Sequence, residues 1–285
     1  MIVVRIWEGI GNQMFQYAYA KALERETGIK VCLEIERVYR DSFKNEDLNV
    51  ERKYSLENFN ISLEKVKINT KKWDFLRQKN IFDNFLFFLS SHGYWFNRFY
   101  TDIEDQYKYK KELLQIKNNS YVMGHFMNKK YYDNVKEILK EEFQLKNEIL
   151  LSNELEEIFM KHQTVSVHIR RGDYVLLKST KDKYYYFKAI KYMNNKIKDP
   201  FYIVFSDDIE WTKQNLDFGK NVIFISEYKY EDYEELILMS KCNYNIIANS
   251  TFSYWGAWLN PNPNKIVIAP ANWMSSVLPN EWLLI

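Results

Sequence analysis

The chain has 285 residues, 46% of them apolar and 17% aromatic, with 22 Tyr, 19 Phe and a net charge of +2. That is enough apolar material for one large domain or two moderate ones, and so small a net charge excludes a global pull toward nucleic acid or anionic membrane. Two cysteines far apart in apolar contexts, Cys32 and Cys242, exclude a disulfide scaffold and read as buried free thiols ahead of a disulfide or metal pair.

Residues 2–7 read as a strand. They are too few for a signal peptide, and Arg5 interrupts them. Phe15, Ala18, Tyr19, Ala22 and Leu23 then recur at helical spacing, Gly28 is a plausible helix stop, and 31–35 read as the next strand. The first 35 residues therefore form a βαβ unit. Residues 36–120 are charged and aromatic, with helical patches around 71–88 and no clean alternation. The longest apolar run, 81–89, contains Asp83 and Asn84 and cannot span a bilayer. The chain thus reads as cytoplasmic, or at most peripheral at a membrane.

Further on, 122–126 suggest a strand and 131–143 and 148–162 suggest helices. From 164 the pattern is regular. Strands are expected at 165–170, 202–206, 222–225, 245–248 and 266–268, with helices at 184–196, 208–216, 233–241 and 252–259. This alternation implies parallel sheets wrapped by helices. The expectation is an α/β chain of two Rossmann-like domains, 1–160 and 161–285, with the site in the cleft between them.

The most informative stretch is Val165-Ser166-Val167-His168-Ile169-Arg170-Arg171-Gly172-Asp173-Tyr174. Val165, Val167 and Ile169 share one strand face; Ser166, His168 and Arg170 share the other. Two guanidinium forks, a glycine pivot and a carboxylate at a strand end suit a phosphorylated ligand better than a surface ion-pair cluster. Glu8-Gly9-Ile10-Gly11-Asn12-Gln13 is a Gly-rich turn opening a helix, able to bring backbone N–H groups to an anion, although Asn12 also fits a helix N-cap. Asn249-Ser250-Thr251-Phe252-Ser253 follows a strand and precedes a Trp-rich helix; its hydroxyls suit a phosphate, or else a capping turn. Ser206-Asp207-Asp208 sits at another strand end, either as a metal pair or with one residue capping a helix. No Asp-x-Asp occurs, so arginines would have to supply the positive charge. Glu235 can accept both donors on guanine's edge, or pass as a surface glutamate. The four histidines have no zinc spacing.

Glu8 to Ala18, His168 to Tyr174, Phe205-Ser206-Asp207-Asp208 and Ala248 to Trp258 together resemble the α-1,2-fucosyltransferases of glycosyltransferase family 11. The matches occur in order along nearly the whole chain. The chain departs from the family pattern at Glu8, where Gly is frequent, and at Tyr254, where Trp is frequent. The resemblance implies a GT-B-like pair of Rossmann domains, the first on the acceptor side and the second binding GDP-fucose. It also implies inversion at the anomeric carbon, no metal and no cofactor. Arg170 would contact the β-phosphate, His168 would lie beside the nucleotide, and Ser250 and Thr251 would hold phosphate oxygens. Glu235 would read guanine, and Asn12 would reach in from the first domain. Gly11, Gln13, Arg171, Asp207, Asn249 and Phe252 complete the expected donor site. Arg170, Asn12 and Asp173 form the expected catalytic set. Asp173 is the candidate base, unless it holds an arginine in place, and Glu8 is its rival. The implied partners are GDP-fucose and a galactose-terminated glycan, in surface polysaccharide assembly. A different linkage, or an inactive glycan- or nucleotide-binding protein, are the alternatives.

Overall fold

The computed structural model describes residues 1–36, 53–67, 84–86, 88–89, 98–273 and 277–285, without the side chain of Asp173. The helical patches expected around 71–88 fall largely outside them. The chain divides into two compact units, Met1–Lys146 and Asn147–Ile285. The division lies before the expected 160/161, so the helix Asn153–Lys161 belongs to the second unit. Its approach is tied there by Tyr230 Oη donating to the Leu150 carbonyl and Tyr228 Oη to Glu154.

The first unit carries a four-stranded sheet of β1 (Ile2–Arg5), β2 (Val31–Glu34), β3 (Arg98–Thr101) and β4 (Ser120–Met123), in the order β2-β1-β4-β3 and parallel throughout. β1 and β2 are buried along their whole length, which is why they read as continuous apolar runs rather than alternating ones. The helix Ile10–Thr27 crosses between them. It ends where Gly28 turns left-handed at φ 65°, its N–H bonding the Glu24 carbonyl. The helix expected over 131–143 is shorter. Two 3-10 turns, Lys129–Tyr131 and Asp133–Val135, precede a helix confined to Lys136–Glu142. The Asn128 side chain accepts the Lys130 N–H at 3.1 Å and starts the first turn, while Tyr131 Oη is drawn off to accept the Lys110 N–H.

The second unit holds six parallel strands: β5 (Thr164–Ile169), β6 (Phe201–Ser206), β7 (Val222–Phe224), β8 (Tyr244–Ile246), β9 (Val267–Ala269) and β10 (Leu283–Leu284). Their order is β10-β9-β8-β5-β6-β7. Helices Lys183–Lys196, Ile209–Asn215, Asp232–Lys241 and Thr251–Trp258 connect them, within a residue or two of the expected bounds. The helix expected from 148 begins at Asn153, because Ser152 Oγ accepts the Leu155 N–H and caps it there.

Val165, Val167 and Ile169 are fully buried against Tyr186, Ala189 and Met193 of the Lys183–Lys196 helix. Each such side chain contributes about 1.5–3 kcal/mol. The opposite face of β5 is polar and tied down. Asn245 Nδ2 donates to Ser166 Oγ at 2.7 Å and to the Met239 carbonyl, and Asn260 Nδ2 donates to Asn245 Oδ1. Cys32 and Cys242 are free and buried, as expected. No helix among the described residues is long and apolar enough to cross a membrane.

Candidate active site

In a doubly wound sheet, ligands bind beyond the carboxyl ends of the strands, where the strand order reverses. In the second unit that point lies between β5 and β8: the chain runs from β5 outward to β6 and β7, then returns through β8 to β9 and β10. The residues that leave β5 and β8 at that edge are His168 to Asp173 and Asn249 to Phe252, two of the stretches singled out from sequence.

Arg170 leaves the end of β5 with Nη1 2.8 Å from Asp207 Oδ2, and its guanidinium lies 5.5 Å from the Tyr174 ring. Asp207 Oδ1 accepts the Arg171 N–H at 2.7 Å. One carboxylate at the end of β6 therefore holds both the Arg170 side chain and the backbone after it. Gly172 leaves room for this carboxylate. A Cβ there would lie 2.8 Å from Asp207 Oδ2, closer than side-chain atoms tolerate. Arg171 is braced sideways, with Nε 3.0 Å from Asp208 Oδ2 and its guanidinium 3.8 Å from the Trp211 ring centre. Asp208 also caps the next helix by accepting the Trp211 N–H. The adjacent carboxylates are thus each engaged with an arginine. No group of three His, Cys, Asp or Glu able to hold a metal is assembled among the described residues.

His168 is buried, its ring 5.3 Å from that of Phe252. Burial first, and the Arg170 charge second, push its pKa down to about 3. It is therefore a neutral imidazole at pH 7, and its buried Nδ1 has no hydrogen-bond partner within the protein. Ser250 Oγ accepts the Phe252 N–H at 3.3 Å and caps the helix Thr251–Trp258, so the capping reading holds for Ser250. Asn249 Nδ2 donates to the Ser179 carbonyl, and its buried Oδ1 has no partner. Glu235 is half-buried on the Asp232–Lys241 helix. Burial pushes its carboxyl up to about 7, opposed by a hydrogen bond from Ser226 and assisted by the charges of Asp232 and Asp207. Glu235 therefore feels the charge of Asp207. Asp173 lies in the short helix Gly172–Leu176; its side chain is outside the described residues.

The first unit has a reversal of its own, between β1 and β4. Glu8 follows β1, and Gly124, His125 and Phe126 follow β4. Asn12 Nδ2 and His125 Nε2 both bond Glu8 Oε2, the latter at 3.1 Å. Gln13 is fully buried and structural. Its Nε2 donates to the Glu8 and Lys53 carbonyls and its Oε1 accepts the Ser55 N–H. Gly11 is buried in the first turn of the helix. Two residues here escaped the sequence reading. Asp102 is buried and accepts the N–H groups of His125 and Phe126 at 2.8 and 2.7 Å. Burial raises its carboxyl pKa against the pull of those two bonds. His125 packs on Trp7 at 4.7 Å.

Two parallel α/β units, each with a strand-order reversal, are the architecture of the GT-B fold. The chain belongs to glycosyl transferase family 11, whose model matches residues 1–281. It is 33% identical to the O-antigen biosynthesis glycosyltransferase WbnK of Escherichia coli, over 94% of this chain and 93% of that protein. It is 31% identical to an alpha-1,2-colitosyltransferase of Escherichia coli, over 100% of this chain and 99% of the relative. A shorter stretch, 34% of this chain and 28% of the relative, is 28% identical to galactoside alpha-(1,2)-fucosyltransferase 1 of Mus musculus. Among solved structures, NodZ alpha-1,6-fucosyltransferase co-crystallized with GDP shares the fold at TM-score 0.55 and 16% identity, covering 95% of each chain.

Proposed function

We propose that this glycosyltransferase moves L-fucose from GDP-β-L-fucose, with inversion, to the 2-hydroxyl of a terminal galactose, in the assembly of a surface polysaccharide such as O-antigen. The observation that carries the reading is the presentation of Arg170 at the carboxyl end of β5, held by Asp207 beside a neutral His168 and the Ser250–Thr251 turn.

In this reading the acceptor oxygen attacks the anomeric carbon, the bond from that carbon to the β-phosphate breaks, and its electron pair leaves with GDP. Negative charge grows on the leaving diphosphate. Arg170, already oriented by Asp207, meets that charge without reorganising. The fork of Arg170 suits two phosphate oxygens. His168, uncharged, offers the nucleotide its unpartnered ring nitrogen, and the Thr251 hydroxyl and Asn249 Oδ1 stand at the same edge. Glu235, ionised, accepts the N1–H and amino group of guanine. The arginines do the work that a metal does in other sugar transferases, so no metal or cofactor is required. The chain works on the cytoplasmic side, at most peripheral to a membrane carrying its glycolipid acceptor.

The colitosyltransferase relative, matched over the whole chain, favours a second reading in which the transferred sugar is colitose. A panel of galactosides offered GDP-fucose and the corresponding colitose donor, with linkage analysis of each product, decides between them. Fucosylation at the 2-hydroxyl supports the first reading. Transfer from the colitose donor alone supports the second. Another linkage overturns the regiochemistry, and binding without transfer from any donor overturns the enzyme.

A further inference from the structure

Between β5 and the helix Lys183–Lys196 the second unit shows water what a folded chain ordinarily hides. Val175, Leu176 and Leu177 are consecutive and 47%, 60% and 62% exposed. A closed turn displays them. The Lys178 N–H bonds the Val175 carbonyl at 3.2 Å, the Ser179 N–H bonds the Tyr174 carbonyl at 2.9 Å, and Lys178 takes a left-handed φ of 52°. Asn249 Nδ2, just past β8, holds the Ser179 carbonyl at 2.8 Å, and Lys181 Nζ donates to Asn272 Oδ1 at 2.6 Å. The segment is therefore anchored within its own unit while its apolar side chains stay in water.

The helix that follows continues this surface. Tyr185, Tyr186, Ala189, Ile190 and Met193 are its buried stripe. Tyr184, Phe187, Lys188 and Lys191 recur at helical spacing on the other side and are exposed. The Tyr184 and Phe187 rings meet edge to face, 6.0 Å apart. Because β5 and β6 are parallel, the helix between them starts at the carboxyl edge of the sheet, where 175–177 also lie. Charge sets this face apart. Lys178, Lys183, Lys188 and Lys191 are exposed and make no ion pair with any of the described residues. Asp182 is the only carboxylate in 175–196, and it is occupied in capping the helix by accepting the Tyr184 N–H. Elsewhere on this unit Lys161 pairs with Glu157 and Lys213 with Glu227.

We infer that this face docks the chain on an anionic lipid bilayer. Val175, Leu176 and Leu177 enter the acyl boundary, Tyr184 and Phe187 sit at headgroup depth, and the unpaired lysines meet lipid phosphates. Exposed aliphatic side chains gain from leaving water, and lysines without carboxylate partners gain from a negative surface. A net charge of +2 is too small to draw the whole chain to a membrane, but here the positive charge is gathered beside the apolar groups. The inference rests on the peripheral placement proposed above and gives it a surface and a lipid charge. It does not depend on which sugar is transferred.

The test is co-sedimentation of the full chain with vesicles of phosphatidylcholine, alone or mixed with phosphatidylglycerol in equal parts. The wild-type chain should bind the mixed vesicles, and binding should weaken as salt rises above about 0.1 M, where the Debye length is about 10 Å. Each lysine near such a surface is worth about fivefold in partitioning. Lys183→Glu, Lys188→Glu and Lys191→Glu together should therefore lower binding by at least about 100-fold. Leu176→Ser with Leu177→Ser should lower it by about tenfold. Met160→Ser removes a side chain that is 77% exposed and follows Glu156 and Glu157; its binding should match wild type. All these positions are exposed, so each variant should keep its thermal midpoint, which separates lost docking from lost fold. A wild-type chain that binds neither kind of vesicle overturns both the inference and the peripheral placement. Binding that survives the lysine or the leucine substitutions overturns this surface alone, as does equal loss in Met160→Ser. Because no sugar donor is present, failure here is told apart from failure of the transfer reading.

Discussion

Glu235→Gln should make the protein more stable at alkaline pH while weakening its hold on GDP. The Glu235 carboxyl is raised from an ordinary 4.5 to about 7, burial being the main cause. Between those two values the folded chain keeps a proton that the unfolded chain has lost. Stability therefore falls as pH rises from 4.5 to 7 and levels off above. At about 1.4 kcal/mol for each pH decade, the full difference is about 3 kcal/mol, an upper bound because Glu235 is only half-buried. Glutamine keeps an acceptor for the Ser226 hydroxyl and removes the charge. The variant should gain about 1–3 kcal/mol at pH 8, on the order of 5 °C in Tm, and nothing at pH 4. GDP binding should move the other way, losing about 1–3 kcal/mol, because guanine's two donors then face one acceptor. Wild-type affinity should also fall as pH drops from 8 to 6, and that dependence should be weaker in the variant. The assays are thermal denaturation at both pH values and calorimetric titration with GDP and ADP. A variant less stable than wild type at pH 8, or equally stabilised at both, refutes the burial argument. Unchanged discrimination between GDP and ADP refutes the base-reading role.

Arg170→Lys keeps the charge but loses the fork that meets both Asp207 and a diphosphate. Its kcat should fall by about 10²–10³-fold, more than donor affinity falls, as read by steady-state kinetics with donor titration; an Arg170→Ala protein with wild-type kcat shifts the role to Arg171. Initial rates after metal stripping and in chelator should match untreated enzyme, because Asp207 and Asp208 are engaged with arginines; activity restored only by magnesium or manganese reassigns both as ligands. Gly172→Ala should displace the Asp207 carboxylate and lower kcat while leaving the Tm of the remote β5 core near wild type; an unchanged kcat shows that Arg170 does not need Asp207.

Strands β5, β6, β8 and β9 were legible because they are parallel and largely buried, so that short β-branched runs alternate with helical spacing. The helix Ile10–Thr27 was legible for a related reason: a long apolar face closed by Gly28. β3, Arg-Phe-Tyr-Thr, and β10, two leucines, carry too few residues to show a period. The helical pattern over 131–143 was real, yet local bonds from Asn128 and Tyr131 turned its first half into 3-10 turns. At the site, the Arg170 cluster was readable because its residues are contiguous. The partners Asp207 and Asp208 lie 36 and 37 positions from Arg171, so sequence could weigh a metal pair against a cap but could not see the arginines between them. Asp102 acts only through backbone N–H groups, and His125 is an isolated histidine with no spacing to mark it. Their contribution depends on β3 and β4 lying side by side.

The all-parallel sheets also set the order in which this chain can fold. β1 is central in the first sheet, yet Arg5 meets Met123 across 118 positions of chain. β5 is central in the second, and Ser166 meets Asn245 across 79. In each unit the first strand made is the one that waits longest for a neighbour. Loop-closure entropy must be met before those pairings return any stability, which makes such sheets slow to assemble. During synthesis β1 can pair only with β2 until the residues of β4 emerge, leaving its other edge and an apolar face uncovered. Slower translation through 36–120, or lower growth temperature, should therefore raise the folded yield of this chain more than a stabilising change in its finished core.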